Sequence, residues 1–364
     1  KLNSLITILY AYRNRDAQRV KQSLLSLQKQ TVNNFEVVFI DYGSTPVYNE
    51  PVKEVVEVFA FANYHYVGHP GLLWNKSKAL NYGIRQAKGK YVFIADVDVL
   101  FHPETIQLFQ NSAHPQTAFL FQLSYLSKKT TESLGSEPNY FDLPVKHTGE
   151  VNGMVLTSKK SLIDIKGLDE FFHFYGSEDI DLFQRLESAG QQVIRRPEKY
   201  FLHQWHPIYN SYDDSKLSIT PRLYNVKRIN QQHYFYQKKA STVKPNQSDM
   251  WGNPVKSNEF EQLLHPDVEH QIENVHAKVV HFLKIVLPAF KKGVLKLEVR
   301  EDAKQHTFKY KIKKLLKKTS QPYLSIKGVN DLILSEIIYN YRDYNYLYEV
   351  HNDLKGVTFS IQKD

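Results

Sequence analysis

The chain opens on an alternation of apolar runs and amphipathic stretches. Leu5–Tyr10 (LITILY) is a run of strand formers, and Asp16–Gln30 places Val20, Leu24, Leu25 and Leu27 at helical spacing. Phe35–Ile40 (FEVVFI) is a second apolar run, Glu50–Phe61 has a helical pattern, and Tyr64–Val67 is a short strand. Lys76–Ala87 is a helix closed by Lys88-Gly89, and Tyr91–Ala95 is a further buried strand. This β-α-β-α-β-α-β order predicts a mostly parallel sheet with helices on both faces, an α/β, Rossmann-like class.

Beyond Pro103 the strands shorten. Asn152–Ser158 reads as a strand, and Ser177–Ala189 as a helix with Ser177 as N-cap and Gly190 just past its end. From Tyr200 to about Trp251 the pattern fades into a segment rich in Tyr, His, Asn and Pro, expected as loops. After Gly252-Asn253-Pro254 the composition changes. Val268, Ile272, Val275, Val279, Phe282 and Val286 make a 3.6-period face. Leu295–Val299 and Phe308–Ile312 alternate like a hairpin, and a Tyr-rich helix (about Val329–Tyr346) precedes a last strand at Val357–Ile361. Two domains are expected, residues 1–255 and a small α+β domain at 256–364.

Composition narrows the class. An apolar fraction of 42% fits a globular protein, and the longest apolar stretch, Val279–Phe290, is broken by Lys284 and Pro288. No signal peptide is visible; the chain begins without Met, which leaves room for an upstream segment. The absence of Cys removes disulfides and thiolate metal sites and is compatible with the cytoplasm. The formal charge of +9 suits an anionic partner. Lys291, Lys292, Lys309, Lys311, Lys313, Lys314, Lys317 and Lys318 crowd one stretch, expected to place a basic strand face where it can touch an anionic membrane peripherally. With no zinc finger, RRM signature or helix-turn-helix, nucleic acid is not expected.

Candidate chemistry gathers where strands end. Asp96-Val97-Asp98 closes a buried strand, and carboxylates at i and i+2 point the same way, able to hold a divalent cation against a diphosphate. Alone, Asp-x-Asp is a weak signal. Tyr12-Arg13-Asn14-Arg15 follows the first strand, where guanidinium groups suit phosphates. Asp41 ends the second strand, placed for a base or ribose. Lys76 and Lys78 open a helix, a setting that favours phosphate. Glu178 and Asp179 open another helix, and His203-Gln204-Trp205-His206 offers two imidazoles three positions apart.

The ordered set YRNR, WNKSKALNYG, FIADVDVLFHP, NGMVLTSKKSLIDIKGLDE, YGSEDIDLFQRL and HQWH resembles inverting, metal-dependent GT-A glycosyltransferases. It is most similar to β-1,4-galactosyltransferases and to bacterial family 2 transferases such as chondroitin polymerases, over roughly residues 4–252. The resemblance implies a UDP-sugar donor and Mn²⁺ or Mg²⁺, with a hexose or N-acetylhexosamine passing to a glycan or lipid-linked acceptor in bacterial surface polysaccharide synthesis. By it, Tyr12, Arg13 and Arg15 face the nucleotide, Asp96 is the ribose-side acid, and Asp98 and His206 are metal ligands. His203 stands where galactosyltransferases carry a methionine ligand. Asn152-Gly153 lies against the donor sugar, Asp179 is the catalytic base, and Glu178 orients sugar hydroxyls. Asp41-Tyr42-Gly43-Ser44 lacks the second acid of the family's Asp-Asp-Gly-Ser, and Phe174-Tyr175-Gly176-Ser177 replaces Trp-Gly-Gly, so the sugar does not carry over. Two other readings stand beside it. A nucleotide-sugar pyrophosphorylase would want a Gly-rich loop after the first strand; a non-catalytic sugar-binding module would not need Asp179. The expected location is cytoplasmic, with peripheral contact at the inner membrane face.

Overall fold

The computed structural model describes residues 5–135, 143–150, 153–255, 257–316, 318 and 321–363. The chain divides into two compact units. The first takes the chain up to Gly68, then Trp74–Tyr209 and Ile229–Pro254; the second takes His69–Leu73, Asn210–Arg228 and the chain from Val255. Among the described residues, no helix is long and apolar enough to cross a membrane.

The first unit runs β1 (Ile6–Tyr12), α1 (Ala17–Gln28), β2 (Phe35–Tyr42), α2 (Pro46–Glu57), β3 (Ala62–Val67), α3 (Lys76–Gln86), β4 (Tyr91–Ala95) and β5 (Val99–Phe101). It continues through α4 (Thr105–Ser112), β6 (Thr117–Phe121), β7 (Leu123–Leu126), α5 (Lys128–Glu132), β8 (Val145–Gly149), β9 (Val155–Ser158) and α6 (Lys159–Asp164). Then come α7 (Glu178–Ser188), β10 (Gln192–Arg196), β11 (Phe201–His203) and α8 (Val226–Lys239). The large sheet has the order β10-β6-β9-β4-β1-β2-β3. All its neighbours are parallel except β9, which is antiparallel to both β4 and β6.

Strand periodicity explains why helices cover both faces. On β1, Ile6, Ile8 and Tyr10 share a buried cluster with Val20, Leu24 and Leu27 of α1. Leu9 points the other way, against α3, where a Cβ on Gly83 would sit 2.2 Å from Leu9 Cδ1. On β4, Phe93 stands amid Phe101, Phe109, Phe121 and Phe201, with ring centroids 4.5–6.1 Å away. This aromatic knot lies under the end of β4, so Asp96–Asp98 leaves a rigid strand.

A second sheet, β5-β11-β7-β8, stands beside the first. Its β5 and β11 run antiparallel with His203 opposite Val99, and Gln204 N–H donates to the Asp98 carbonyl at 3.0 Å. That register carries a residue from far down the chain to the Asp98 turn.

Helix α7 is fixed from below. Asp181 and Arg185 form a buried pair at 2.7 Å, and Arg185 Nη1 donates to the Gly167 carbonyl at 2.7 Å. Its end follows the expected pattern: Gly190 has φ +87°, and Gln191 N–H bonds the Leu186 carbonyl at 3.0 Å. Its start does not. Ser177 has φ +75° and makes no capping bond, because a hydroxyl reaches the N2 or N3 amide from an extended residue, not a left-handed one.

The second unit carries α9 (Phe260–Leu263), β12 (Val268–Glu273), α10 (His276–His281), α11 (Leu287–Ala289), β13 (Gly293–Arg300), α12 (Phe308–Leu315), α13 (Ile326–Glu336), β14 (Asn345–Val350) and β15 (Gly356–Lys363). Its sheet has the order β12-β13-β15-β14, parallel only between the first two.

Several expectations are corrected here. The 3.6-period face from Val268 splits into β12 and α10. The break falls at Asn274, whose side chain donates to the Leu324 carbonyl and accepts from Asp302 N–H. The hairpin does not form: β13 pairs with β15, and Phe308–Leu315 is a helix capped by Thr307. The Tyr-rich helix leaves α-helical geometry after Glu336 in a π turn at Ile337–Tyr341, and Tyr346 belongs to β14. In the first unit, α8 occupies part of the expected loop region, its pattern hidden because the fully buried Asn230 is polar.

Replacing Asp181 by Ala should cost about 3–5 kcal/mol, because a buried guanidinium is left without its partner. Urea unfolding checks this; a loss under about 1 kcal/mol, the worth of an exposed pair, would contradict the structural role.

Candidate active site

Three strand ends converge above the aromatic knot. Asp98 is the last residue of the turn between β4 and β5, while His203 and His206 arrive with β11 and the segment after it. One ligand atom from each of the three lies within 4.8 Å of the others. His203 Nε2 is 3.5 Å from Asp98 Oδ1, and His206 Nε2 is 3.3 Å from Oδ2. Among the described residues, Asp98 Oδ1 is buried without a hydrogen-bond partner.

The tautomer of His206 follows from its neighbour. Nδ1 is 2.8 Å from the Pro207 carbonyl, which can only accept, so Nδ1 carries the proton and Nε2 of the neutral ring presents a lone pair. Burial lowers the His206 pKa and favours that neutral ring, against the opposing pull of Asp98. A lone pair facing a carboxylate oxygen is repulsive. An unsatisfied buried oxygen beside two imidazoles is a donor set suited to a divalent cation, with the outer ring N–H held by a carbonyl as metal-binding histidines are. Arg19, in the first turn of α1, also reaches this carboxylate, at 3.7 Å.

A second group lies beside it. Lys76, first residue of α3, donates to Asp96 Oδ1 at 2.7 Å. This ammonium holds the Asp96 carboxyl below its usual range. Burial pulls the Lys76 pKa down, but Asp96 and Glu178 outweigh it and the net shift is upward. Burial raises the Glu178 carboxyl, with Lys76 opposing and Asp179 adding to the rise. A Cβ on Gly153 would stand 3.6 Å from Asp179 Cβ and 3.9 Å from Lys76 Nζ. Gly153, Lys76, Asp96, Glu178 and Asp179 therefore form one neighbourhood, while Asn152 lies outside the described residues.

The loops after β1 and β2 are tied together. Asn14, at φ +47°, donates its N–H to Ser44 Oγ at 2.9 Å, and its side chain accepts from Thr45 N–H at 3.0 Å. Tyr12 is buried, its hydroxyl donating to the Arg15 carbonyl at 2.6 Å, which leaves the Arg15 side chain exposed. Asp41 is fully buried and accepts from Ser44 N–H at 3.1 Å and Tyr64 Oη at 2.8 Å. Burial raises its pKa against those hydrogen bonds. Its geometry is that of a loop support, since no oxygen of it reaches the surface. Lys78 is likewise drawn inward, 3.8 Å from buried Glu170, and Asn75 itself caps α3 by accepting from Lys78 N–H at 2.8 Å. Val97 is buried in the core cluster beneath the turn.

Two contributors had little signal in the sequence. Asn230 of α8 donates to the carbonyls of His173 and Tyr175 at 3.0 and 3.1 Å, holding the loop that leads into α7. That loop needs holding, because Phe174, Gly176 and Ser177 all have positive φ. Tyr175, about half exposed, stacks on Tyr209 at 4.4 Å between centroids.

Residues 6–165 match the family model described as Glycosyl transferase family 2, and residues 133–207 match one described as N-terminal domain of galactosyltransferase. With the fold and the strand-end site, these matches define the class: the first unit is a mostly parallel α/β sheet whose residues 6–165 are similar to family 2 glycosyltransferases. No curated protein matches the chain. Similar solved structures include the mannosyltransferase PcManGT from Pyrobaculum calidifontis in complex with GDP-Man and Mn²⁺, at 19% identity and TM-score 0.42, covering 65% of this chain and 64% of that one. TarS 1–349 from S. aureus follows at 18% identity and TM-score 0.40, covering 55% and 60%. The chain thus spans under two thirds of the length of these structures.

Gly153→Ala should fold normally, because the added methyl meets Asp179 at ordinary van der Waals distance, and should gain up to about 1 kcal/mol from a stiffer unfolded chain. Thermal unfolding reads this. A marked loss of stability would mean the space beside Asp179 is smaller than these distances require.

Proposed function

We propose that this chain is an inverting, metal-dependent glycosyltransferase that moves a hexose or N-acetylhexosamine from a UDP-sugar to a glycan or lipid-linked glycan in bacterial surface polysaccharide assembly. The convergence of Asp98, His203 and His206, two residues from the Asp96–Lys76 pair that Gly153 and Asp179 adjoin, carries the reading. Asp98, His203 and His206 would hold the ion, and two imidazoles with one carboxylate suit Mn²⁺ better than Mg²⁺, which prefers oxygen ligands. When bound, such an ion neutralises charge on the departing diphosphate.

The protein's own groups do the rest. Arg13 and Arg15 sit on the loop after β1, where guanidinium groups can pair with the diphosphate. Asp96, kept ionised by Lys76, is available to a ribose hydroxyl. Gly153, lacking a side chain, lets the donor sugar approach the backbone next to Asp179. Asp179 takes the proton from the acceptor hydroxyl as that oxygen attacks the anomeric carbon from the side opposite the diphosphate, which inverts the configuration. Glu178 holds sugar hydroxyls.

Asp179→Asn keeps volume and removes proton acceptance. It should lower turnover about 10²–10⁴-fold while UDP affinity in Mn²⁺ stays near wild type. UDP release from a panel of UDP-sugars, with isothermal titration of UDP, checks both halves; a variant with more than about a tenth of the wild-type kcat sinks the base assignment.

Asp98→Ala and His206→Ala should weaken Mn²⁺ binding measured directly by titration, with excess Mn²⁺ partly restoring the His206 variant. Full activity after EDTA treatment would end the metal reading.

A further inference from the structure

We propose that α12 is a docking surface for an anionic lipid bilayer, an inference independent of the transferase reading. The helix Phe308–Leu315 presents its residues the wrong way round for a soluble surface helix. At 3.6 residues per turn, Phe308, Ile312 and Leu315 fall within an arc of about 60°. The ends of that stripe face outward, Phe308 78% exposed and Leu315 82%, with Ile312 between them 37% exposed and Leu316 just beyond the helix 57%. The opposite side is pinned to the second unit. Tyr310 donates from its hydroxyl to the Gln321 carbonyl at 3.0 Å and meets Tyr323 edge to face at 5.2 Å; Tyr323 in turn donates to Asp302 at 2.8 Å. The apolar stripe therefore cannot roll inward without breaking these contacts.

Charge identifies the occupant. Lys309, Lys311, Lys313, Lys314 and Lys318 are all exposed, and among the described residues none of them makes an ion pair; Lys309 and Lys311 flank the stripe, while Lys313 and Lys314 stand further round the helix. Lys317 lies outside the described residues. An apolar stripe bordered by ammonium groups matches the boundary of a bilayer, where acyl chains take the ring and leucines while lysine stems reach up to headgroup phosphates. A nucleic acid would engage the lysines and could stack a base on Phe308, but it offers no apolar medium to Ile312, Leu315 and Leu316. The arrangement also replaces the basic strand face expected from the sequence: the same lysines act from a helix, and the apolar residues between them point to the membrane instead of the core.

Sedimentation of the full chain with vesicles tests this. Binding should require phosphatidylglycerol, be negligible on pure phosphatidylcholine, and fall with salt. Each Lys→Gln change among Lys309, Lys311, Lys313 and Lys314 should lower the partition coefficient about fivefold, the equivalent of about 1 kcal/mol per charge near the surface. The double variant Phe308→Ser with Leu315→Ser should also lose binding, with circular dichroism confirming that it folds. Independently, Leu315→Trp should shift its emission to the blue on anionic vesicles. Equal binding to neutral vesicles, retained binding by the double serine variant, an unshifted Leu315→Trp spectrum, or binding to polyuridylic acid without binding to vesicles would each overturn the proposal.

Discussion

The pairing of β11 with β5 is the constraint on which the candidate site depends. Asp98 sits one residue before β5, and His203 is the last residue of β11, opposite Val99. Because side chains alternate along a strand, a slip of one residue would turn His203 to the other face and break the three-ligand group. The register is held from two sides. Gln204 N–H bonds the Asp98 carbonyl, and Phe201 is locked into the aromatic knot around Phe93. Core packing thus sets the position of a polar group outside the core.

Electrostatics in the neighbouring group follow from one lysine. Asp96, Glu178 and Asp179 all act on Lys76, and without its ammonium three carboxylates would crowd one place. The ammonium keeps Asp96 ionised and opposes the rise that burial imposes on Glu178. Asp181, two residues beyond Asp179, is spent on Arg185 and on fixing α7. Within four residues of one helix the chain separates acids facing the site from an acid that anchors the helix.

The loop from His173 to Ser177 joins these two regions and carries the most backbone strain in the first unit's site. Left-handed residues other than glycine persist only where their surroundings over-determine them. Here Asn230 supplies two hydrogen bonds, Trp74 accepts from Phe174 N–H at 3.0 Å, and Tyr175 stacks on Tyr209. Aromatic stacking and an asparagine thus hold a loop in which Gly176 supplies one of three positive-φ positions.

The β-α alternation through Ala95 was legible because β1, β2 and β4 are buried on both faces and each helix shows one apolar side, so periodicity is strong. The positions of Arg13 and Asp98 after strands, and of Asp179 in the first turn of a helix, followed from residue order. What the sequence could not show arose where long-range pairing overrides local pattern. Val268–Ile272 fits both periods, and its parallel pairing with β13 selected the strand. Lys309–Lys313 alternate as in a strand, yet β15 already occupies the edge of β13, so the segment folds as a capped helix. Asp41 and Lys78 have the chemistry of ligand contacts, but Tyr64 and Glu170, distant in the chain, draw them inward. Residue type and spacing determined which groups can carry the chemistry; only the tertiary structure decided which of them face one another, because register and burial depend on partners that no local window contains.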